Sequence, residues 1–446
     1  MNTILGELGK SKKFVELIKN IEEKQSPIGI SGLSNVGMLE TIASINEYSK
    51  KPIAIITYNE IQAKWIMENI QFFTDKAIYF PKKDIVTYNY VAESKDLPYS
   101  RIEALNKINN KRNYILVTTI EAAMQKLPAK QLLYKNTLKF KVGEIHSLEK
   151  IKQDLVNLGY TRCDLIEGRG QFSLRGGILD ISINDAIGVR VEFWGDEIDS
   201  IRNFNIISQR SINTLEKVEI EPAHEYILEK PIEEICKKVR KTIANDEQEE
   251  IIEQDIEQIK AGNYISKIDK YFDCFYDKQE TIIDYLNTNS IITFDEIRKI
   301  EQRAQNIIKD NEQLIKNLIE KGKVVPQAIS NIQTFSSIEN NTKESKKTII
   351  YIEKQDTKIE RQSQNYNFQY RAINYYKSEI ETLFTDIKKA QEKGKNIYVV
   401  VATKEKAKKL QEILEQENII SKIEEKLDKT IIVKSQEKII TIAIGK

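Results

Sequence analysis

Four short runs, apolar at almost every position, dominate the first 120 residues and restrict the fold most strongly. They are IGIS at 28–31, IAIIT at 53–57, AIYF at 77–80 and YILVTT at 114–119. Residues at helical spacing follow the second run, where Ile61, Trp65 and Ile70 share one side. Strands that are apolar on both sides are buried on both faces, and their alternation with helices indicates a parallel sheet covered by helices. The sequence therefore predicts an α/β domain.

The pattern changes near residue 136. From 137 to 226 the chain has short runs of alternating apolar and polar residues between glycine-rich turns, which is typical of antiparallel β structure. Helical spacing then returns, and SIITFDEI at 290–297 is a further buried strand that ends in two acidic residues. We predict one α/β domain over 1–135 and 226–335, interrupted by a β domain over 136–225.

A smaller α/β domain is predicted over 340–446. The polar stretch SSIENNTKESKK at 336–347 is interpreted as a linker, and TIIYI at 348–352 as the first strand beyond it. Ser378 and Glu381 have the spacing of a capping box that opens a helix. The chain ends directly after an apolar run, and because a free apolar edge favours aggregation we expect the natural protein to continue.

Charge, cysteine and histidine content argue against several classes of site. The 446 residues include 68 Lys or Arg and 67 Asp or Glu, so binding of nucleic acid over the whole surface is not indicated, although a local patch stays open. Cys163, Cys236 and Cys274 form no C-x-x-C pair, and His146 and His224 have no second ligand at metal-binding spacing. We predict no metal and no disulfide framework, as in a reducing cytoplasm. Neither a signal peptide nor an apolar run long enough to span a membrane is recognised.

A glycine loop follows the first apolar run. Gly32 and Gly37 have the spacing of a phosphate-binding loop, G-x-x-x-x-G-K-[ST], but Met38 stands at the lysine position and Leu39 at the Ser/Thr position. Neither side chain can bring a positive charge to phosphate or a ligand to Mg²⁺. The acidic pair Asp295-Glu296 lies at a strand end, where a metal-holding pair belongs. We interpret the domain as a helicase-like, P-loop-type fold whose nucleotide site has decayed and holds no cofactor. The alternative is that the glycines only permit a tight turn and that the acids cap a helix.

The β segment 167–211 carries the most distinctive pattern. Read with a period of two, its strands bury one aliphatic face and place Arg175, Arg190, Glu192 and Trp194 on the other, next to a turn at Gly176-Gly177. Arg and Trp are enriched at protein–protein hot spots, so this face is a candidate partner surface, with a merely solvated sheet face as the alternative. DNA binding is disfavoured because acidic residues surround the arginines: Glu192, Asp196, Glu197 and Asp199.

A family resemblance rests on this segment. The motifs are Gly170-x-Phe172-x-x-Arg175-Gly-Gly-Ile-Leu-Asp180, Arg190-Val-Glu-Phe193, Gly195-Asp-Glu-Ile-Asp-Ser-Ile-Arg202, Gln209-Arg-Ser211 and Pro222-Ala-His-Glu225. Flanking segments agree, among them YFPKKDIVTY, LPYSRIEAL and DYLNTNSIITFDEI. The chain resembles the N-terminal region of the bacterial transcription-repair coupling factors, the Mfd family, over nearly its whole length, with a weaker match after about residue 340.

The resemblance implies a module that is similar in fold to the excision-repair protein UvrB but has a dead nucleotide site, and an inserted β domain that docks UvrA. It implies that Arg175, Arg190 and Trp194 make the UvrA contact, with Glu192 and Gly176 beside them. The docking face of the family is masked by a C-terminal domain until the protein engages stalled RNA polymerase. Contacts with RNA polymerase and DNA, and the translocating ATPase, belong to downstream domains.

An active UvrB-like or helicase-type repair enzyme is the alternative. UvrB would need an intact G-K-T loop and an aromatic-rich hairpin. The tyrosines Tyr88, Tyr90 and Tyr99 do not form such a dense pattern.

Overall fold

The computed structural model describes residues 3–83, 96–243, 245–262, 265–320, 332–354, 364–370, 376, 379–424 and 439–444. Tyr88 and Tyr90 lie outside the described residues, as does Ser378 of the predicted capping box. The helices are α1 Thr3–Leu8, α2 Lys12–Glu22, α3 Asn35–Ser49, α4 Glu60–Ile70, α5 Asp96–Asn110, α6 Ile120–Met124, α7 Lys130–Lys135, α8 Leu148–Asn157, α9 Ile232–Arg240, α10 Asp246–Lys260, α11 Ile265–Phe275, α12 Ile282–Tyr285, α13 Ile297–Glu320, α14 Phe335–Glu344, α15 Ile380–Glu392 and α16 Lys404–Gln416.

The strands are β1 Ile28–Ser31, β2 Ile53–Thr57, β3 Ala77–Phe80, β4 Ile115–Thr119, β5 Leu127–Pro128, β6 Leu138–Lys141, β7 Thr161–Arg162, β8 Gln171–Arg175, β9 Ile178–Ser182, β10 Ile187–Trp194, β11 Glu197–Asn205, β12 Ser211–Leu215, β13 Lys217–Ile220, β14 Gln279–Glu280, β15 Ile291–Asp295, β16 Thr348–Glu353, β17 Gln364–Asn367, β18 Tyr398–Val401, β19 Ser421–Glu424 and β20 Ile440–Ile444. The predicted α/β class with an antiparallel β region is confirmed.

A parallel sheet with the strand order β17-β1-β16-β15-β2-β4-β3 forms the first domain. The apolar runs predicted as strands supply β1, β2, β3, β4 and β15. Helices that follow these strands are capped at their N-termini by polar side chains. Thr119 accepts a hydrogen bond from the Ala122 N–H at the start of α6, and Asn59 accepts one from the Gln62 N–H at the start of α4. Both faces of the sheet are covered, and two apolar clusters fill the space between sheet and helices.

One strand of this sheet was assigned to the wrong domain by the sequence-based prediction. The run TIIYI was assigned to the small C-terminal domain, but β16 lies between β1 and β15, with Ile350 opposite Ile28 and Thr293. The stretch interpreted as a linker contains α14, whose Ile338 is fully buried. The polar composition of this stretch favoured a linker in the prediction. A helix needs only a narrow apolar stripe to pack, and α14 packs on α6 and α13 in this way. The bounds of the three domains themselves remain predictions.

The inserted segment forms a six-stranded sheet in the order β12-β11-β10-β9-β8-β7, antiparallel except for the short β7–β8 pair. The pair β6–β13 leads into and out of it. Helices α9, α10 and α11 follow and enclose an apolar cluster of their own. The C-terminal unit is a small parallel sheet, β18-β20-β19, packed by α15 and α16. The N-cap of α15 is Glu379, which makes no side-chain capping bond.

A buried ion pair joins the inserted sheet to the α/β domain. Arg101 of α5 donates through Nε to both carboxylate oxygens of Glu225, at 3.1 and 2.9 Å, and both side chains are almost fully buried. Its Nη1 donates to the Pro81 carbonyl oxygen at 2.7 Å and to Gln125 Oε1 at 3.0 Å. The motifs LPYSRIEAL and Pro222-Ala-His-Glu225 therefore meet at the joint between the domains.

Along the part of the chain that the structure describes, we find no helix that combines the length and the apolar character needed to cross a membrane.

The buried imidazole of His224 makes stability depend on pH. Burial lowers the pKa of His224 to about 4, and its Nδ1 accepts a hydrogen bond from the Tyr226 N–H at 3.2 Å. In the unfolded state His224 takes up a proton near pH 6.5, whereas in the folded state it stays neutral down to about pH 4. The contribution of neutral His224 to the free energy of unfolding is therefore present above pH 6.5 and is lost as the pH falls towards 4. We expect His224 to reduce the free energy of unfolding by about 2 kcal/mol between pH 7 and pH 5.

Chemical unfolding of His224→Asn at the two pH values measures this effect, because asparagine keeps an acceptor and cannot titrate there. Equal pH dependence in parent and His224→Asn would contradict the assignment.

Candidate functional site

The strand register places the predicted docking residues on one face of the inserted sheet. Arg190 of β10 lies opposite Asp180 of β9, and Arg175 and Glu192 both lie opposite Ile178. Residues directly opposite in an antiparallel pair share a face, and so do alternate residues along a strand. Arg175, Arg190, Glu192 and Trp194 therefore occupy the same side, as the sequence predicted.

One buried carboxylate organises the two arginines. Arg190 donates through Nε to Asp180 Oδ1 at 2.6 Å and through Nη2 to Oδ2 at 2.8 Å, and Arg175 donates through Nη2 to the same Oδ2 at 3.2 Å. The Asp180 side chain is only 2% exposed. This two-point contact with Asp180 raises the pKa of Arg190, since it favours the charged form. Asp180 was missed as a site residue because its role depends on a cross-strand contact.

The two arginines differ in accessibility. The Arg190 side chain is 19% exposed, stacks over the Phe204 ring at 4.7 Å and also contacts Gln209, whereas the Arg175 side chain is 52% exposed. Arg190 is thus part of the domain's own packing with one edge at the surface. Arg175 is the guanidinium that a partner can reach without rearrangement.

Glu192 belongs to a second cross-strand pair. Its carboxylate accepts a hydrogen bond from Ser200 Oγ at 2.8 Å and forms an ion pair with Arg202 of β11. The Ser200 bond, together with Arg202, lowers the pKa of Glu192. Arg202 lies directly opposite Arg190, and each guanidinium is held by its own carboxylate, Arg190 by Asp180 and Arg202 by Glu192.

Trp194 is the exposed apolar residue of this face, with 85% of its surface accessible. It ends β10 at a tight turn, opposite Glu197, and Ile145 pairs with Glu197 from the far side and is 76% exposed. Ile178 adds a further partly exposed apolar side chain. The Arg175–Ile178 hairpin turns through Gly176, whose φ of +59° is accessible to glycine at little cost. The neighbours Ile145 and Ile178 were not predicted.

The glycine loop lies at the carboxyl end of β1. Gly32 has a φ of +70°, and Ser34 caps α3 by accepting a hydrogen bond from the Gly37 N–H at 3.0 Å. Met38 and Leu39 are fully buried in the apolar cluster under α3. Two side chains that cannot bind phosphate thus pack as ordinary core residues.

The acidic pair lies at the carboxyl end of β15. Asp295 is fully buried and its Oδ2 accepts hydrogen bonds from Thr57 Oγ1 at 3.1 Å and Gln62 Nε2 at 3.2 Å. Burial raises the pKa of Asp295, and the Lys354 ammonium at 3.9 Å from Oδ1 only partly opposes this. Burial also acts to raise the pKa of Glu296, but hydrogen bonds from Lys299 and Lys354, at 2.9 and 3.1 Å, outweigh it and lower the value.

The structure brings the predicted residues together as two separate groups. The arginines, Glu192 and Trp194 meet on the inserted sheet. The glycine loop and the acidic pair lie at the carboxyl ends of β1 and β15, which β16 separates in the parallel sheet. Among the residues that are described, no three His, Cys, Asp or Glu side chains are close enough to hold a metal ion.

Comparison with known proteins finds a matching family model and similar transcription-repair-coupling factors. Residues 138–226 match the family model described as the UvrB interaction domain. The chain is 26% identical over 431 residues to a transcription-repair-coupling factor of Bacillus subtilis, covering 93% of this chain and 36% of the relative. Factors of the same name from Staphylococcus epidermidis and Staphylococcus aureus are 25% and 28% identical over 91% and 66% of this chain.

These matches confirm the resemblance to the N-terminal region of the transcription-repair-coupling factors. The chain spans about a third of the length of the Bacillus relative, 36%.

Replacement of aspartate by asparagine is predicted to affect the free energy of unfolding differently at two buried positions. Asp295→Asn should leave the free energy of unfolding within about 1 kcal/mol of the parent or raise it, because a neutral amide keeps an acceptor for Thr57 and Gln62 and avoids burying a charge. Asp180→Asn should lower it by about 3 kcal/mol, because Arg190 would be left beside an uncharged partner.

Urea unfolding of the two variants, followed by circular dichroism, compares them directly. A larger loss for Asp295→Asn than for Asp180→Asn would contradict the roles assigned to the two carboxylates.

Proposed function

We propose that this chain docks UvrA through the polar face of its inserted sheet and thereby recruits the excision-repair machinery. Arg175 and Trp194 make direct contact, Arg190 presents one edge, and Glu192 and the turn at Gly176 complete the surface. The observation that carries the proposal is a rigid array of guanidinium groups beside an exposed indole, within the segment that matches the UvrB interaction domain.

The chemistry of the face fits a protein partner. Burying a large apolar side chain is worth about 1.5–3 kcal/mol, and Trp194 forgoes that gain in the isolated chain. Trp and Arg are the residue types that most often carry interface energy. Because Asp180 and Glu192 already hold their arginines in place, docking costs little side-chain entropy.

The same face is a poor nucleic-acid surface. Each arginine shares its charge with a carboxylate of the sheet, and Asp196, Glu197 and Asp199 follow Trp194 in the sequence. Phosphate binding needs uncompensated positive charge. In this proposal, contacts with DNA and RNA polymerase are made outside this chain, which spans 36% of a relative named for coupling transcription to repair.

The α/β domain, in this proposal, supports the docking domain and turns over no ATP. Met38 and Leu39 supply neither of the two groups that a phosphate-binding loop needs, and both are packed in the core. The chain acts without a bound cofactor.

Loss of the exposed contacts should weaken UvrA binding without unfolding the domain. We expect Trp194→Ala and Arg175→Ala each to raise the dissociation constant for UvrA about 30-fold, equivalent to about 2 kcal/mol. Calorimetric titration of UvrA with each variant measures this change, and thermal unfolding confirms that the fold is retained.

Matched controls lie on the same domain. Ile207→Ala removes another highly exposed apolar side chain, and Arg162→Ala removes an exposed arginine from β7. Both should bind UvrA like the parent. Equal affinity of the parent, Trp194→Ala and Arg175→Ala would refute the proposed surface.

Titration of the parental chain with ATP and Mg²⁺ tests the non-catalytic assignment. Because the lysine and the metal-binding hydroxyl are missing, we expect no binding up to about millimolar nucleotide. Binding in the micromolar range would instead favour an active helicase-type enzyme, and retention of DNA at moderate salt would favour a nucleic-acid surface.

A further inference from the structure

The glycine loop of the α/β domain is occupied by the chain itself. A methyl group added at Gly37 would lie 2.5 Å from Cδ1 of Tyr370, and one added at Gly32 would lie 2.6 Å from Oδ1 of Asn367. Both distances are far below van der Waals contact. Asn367 and Tyr370 therefore fill the space that side chains at Gly32 and Gly37 would occupy.

Specific hydrogen bonds hold this segment on the loop. The N–H of Phe368 donates to the Ser31 carbonyl oxygen at 3.1 Å, and the N–H of Tyr370 donates to that of Gly32 at 2.7 Å. The Tyr370 hydroxyl donates to Glu40 Oε2 at 3.2 Å. These bonds continue the parallel pairing of β17 with β1 beyond the end of the strands.

A lysine of the same chain also occupies the space beside the acidic pair Asp295-Glu296. Lys354, which follows β16 directly, places its ammonium 3.1 Å from Glu296 and 3.9 Å from Asp295. The Lys354 side chain is 18% exposed. The Lys354 ammonium thus lies beside both acids, where those of a working site would hold a metal ion.

We propose that the loop at Gly32–Gly37 is an intramolecular docking site for Asn367–Tyr370, and that Lys354 stands in for the metal, so that the chain fills its own nucleotide site. The inference rests on the non-catalytic part of the proposed function and is independent of UvrA docking. It implies that restoring the loop sequence alone does not restore nucleotide binding, because the tyrosine ring remains in place.

A double-mutant cycle between Gly37 and Tyr370 tests the contact. Gly37 is the third residue of α3, a position where a side chain is compatible with a serine cap and where alanine favours the helix. Gly37→Ala should nevertheless lower the thermal unfolding midpoint by at least about 3 °C in the parent, since its methyl group meets Tyr370. In a Tyr370→Ala background it should cause no loss.

Gly6→Ala is the matched control, because Gly6 lies in α1 and, apart from its chain neighbours and the helix's own backbone, no atom lies within 4 Å of the added methyl group. It should have the same effect in both backgrounds. An equal effect of Gly37→Ala in the two backgrounds would overturn the proposal.

Nucleotide titration provides the second test. We expect M38K/L39T to bind no ATP with Mg²⁺, and the same pair combined with Tyr370→Ala and Lys354→Ala to bind at least tenfold more tightly. Equal affinity with and without the two added substitutions would overturn the self-occupied site. ATP binding by the parent would instead refute the non-catalytic assignment, so the two failures are distinguishable.

Discussion

The ion pair between Arg101 and Glu225 is the contact on which the arrangement of the domains depends. Both groups are removed from water, the Nε–H of Arg101 is shared between the two carboxylate oxygens of Glu225, and Nη1 donates to Pro81 and Gln125. Removing either partner from such a pair costs about 3–5 kcal/mol, because the remaining charge stays buried. The exit of the inserted sheet is thereby fixed against α5, and the face around Trp194 takes its orientation from the α/β domain.

Three buried carboxylates of this chain differ in how the cost of their burial is compensated. Glu225 joins two domains and Asp180 organises a surface, and in both cases an arginine at hydrogen-bond distance compensates the cost of burial. Asp295 has only a lysine at 3.9 Å and two neutral donors. A buried carboxylate is thus stabilising where a guanidinium meets it and costly where only a more distant ammonium does, since desolvation is then opposed too weakly.

Sequence patterns predicted the features that depend on local spacing. The buried strands and the alternation that puts Arg175 and Trp194 on one face could be read directly, because strand periodicity needs no knowledge of neighbours. The strand at 348–352 was assigned to the wrong sheet, since apolar composition predicts a strand but not its partners. Asp180 and Tyr370 were missed as site residues for the same reason: their roles arise from residues that meet only after folding.

Filling a ligand site with the chain's own residues changes what that site does for the fold. A nucleotide-dependent domain is stabilised only to the extent that ligand is bound, whereas an internal tyrosine and lysine are present at an effective concentration that never falls. On our proposal, the parallel sheet on which α5 packs with its Arg101 is held in one state whatever the nucleotide level. The face around Trp194 is then always presented in the same orientation, and its accessibility can be regulated from outside the domain instead of through the site at Gly37.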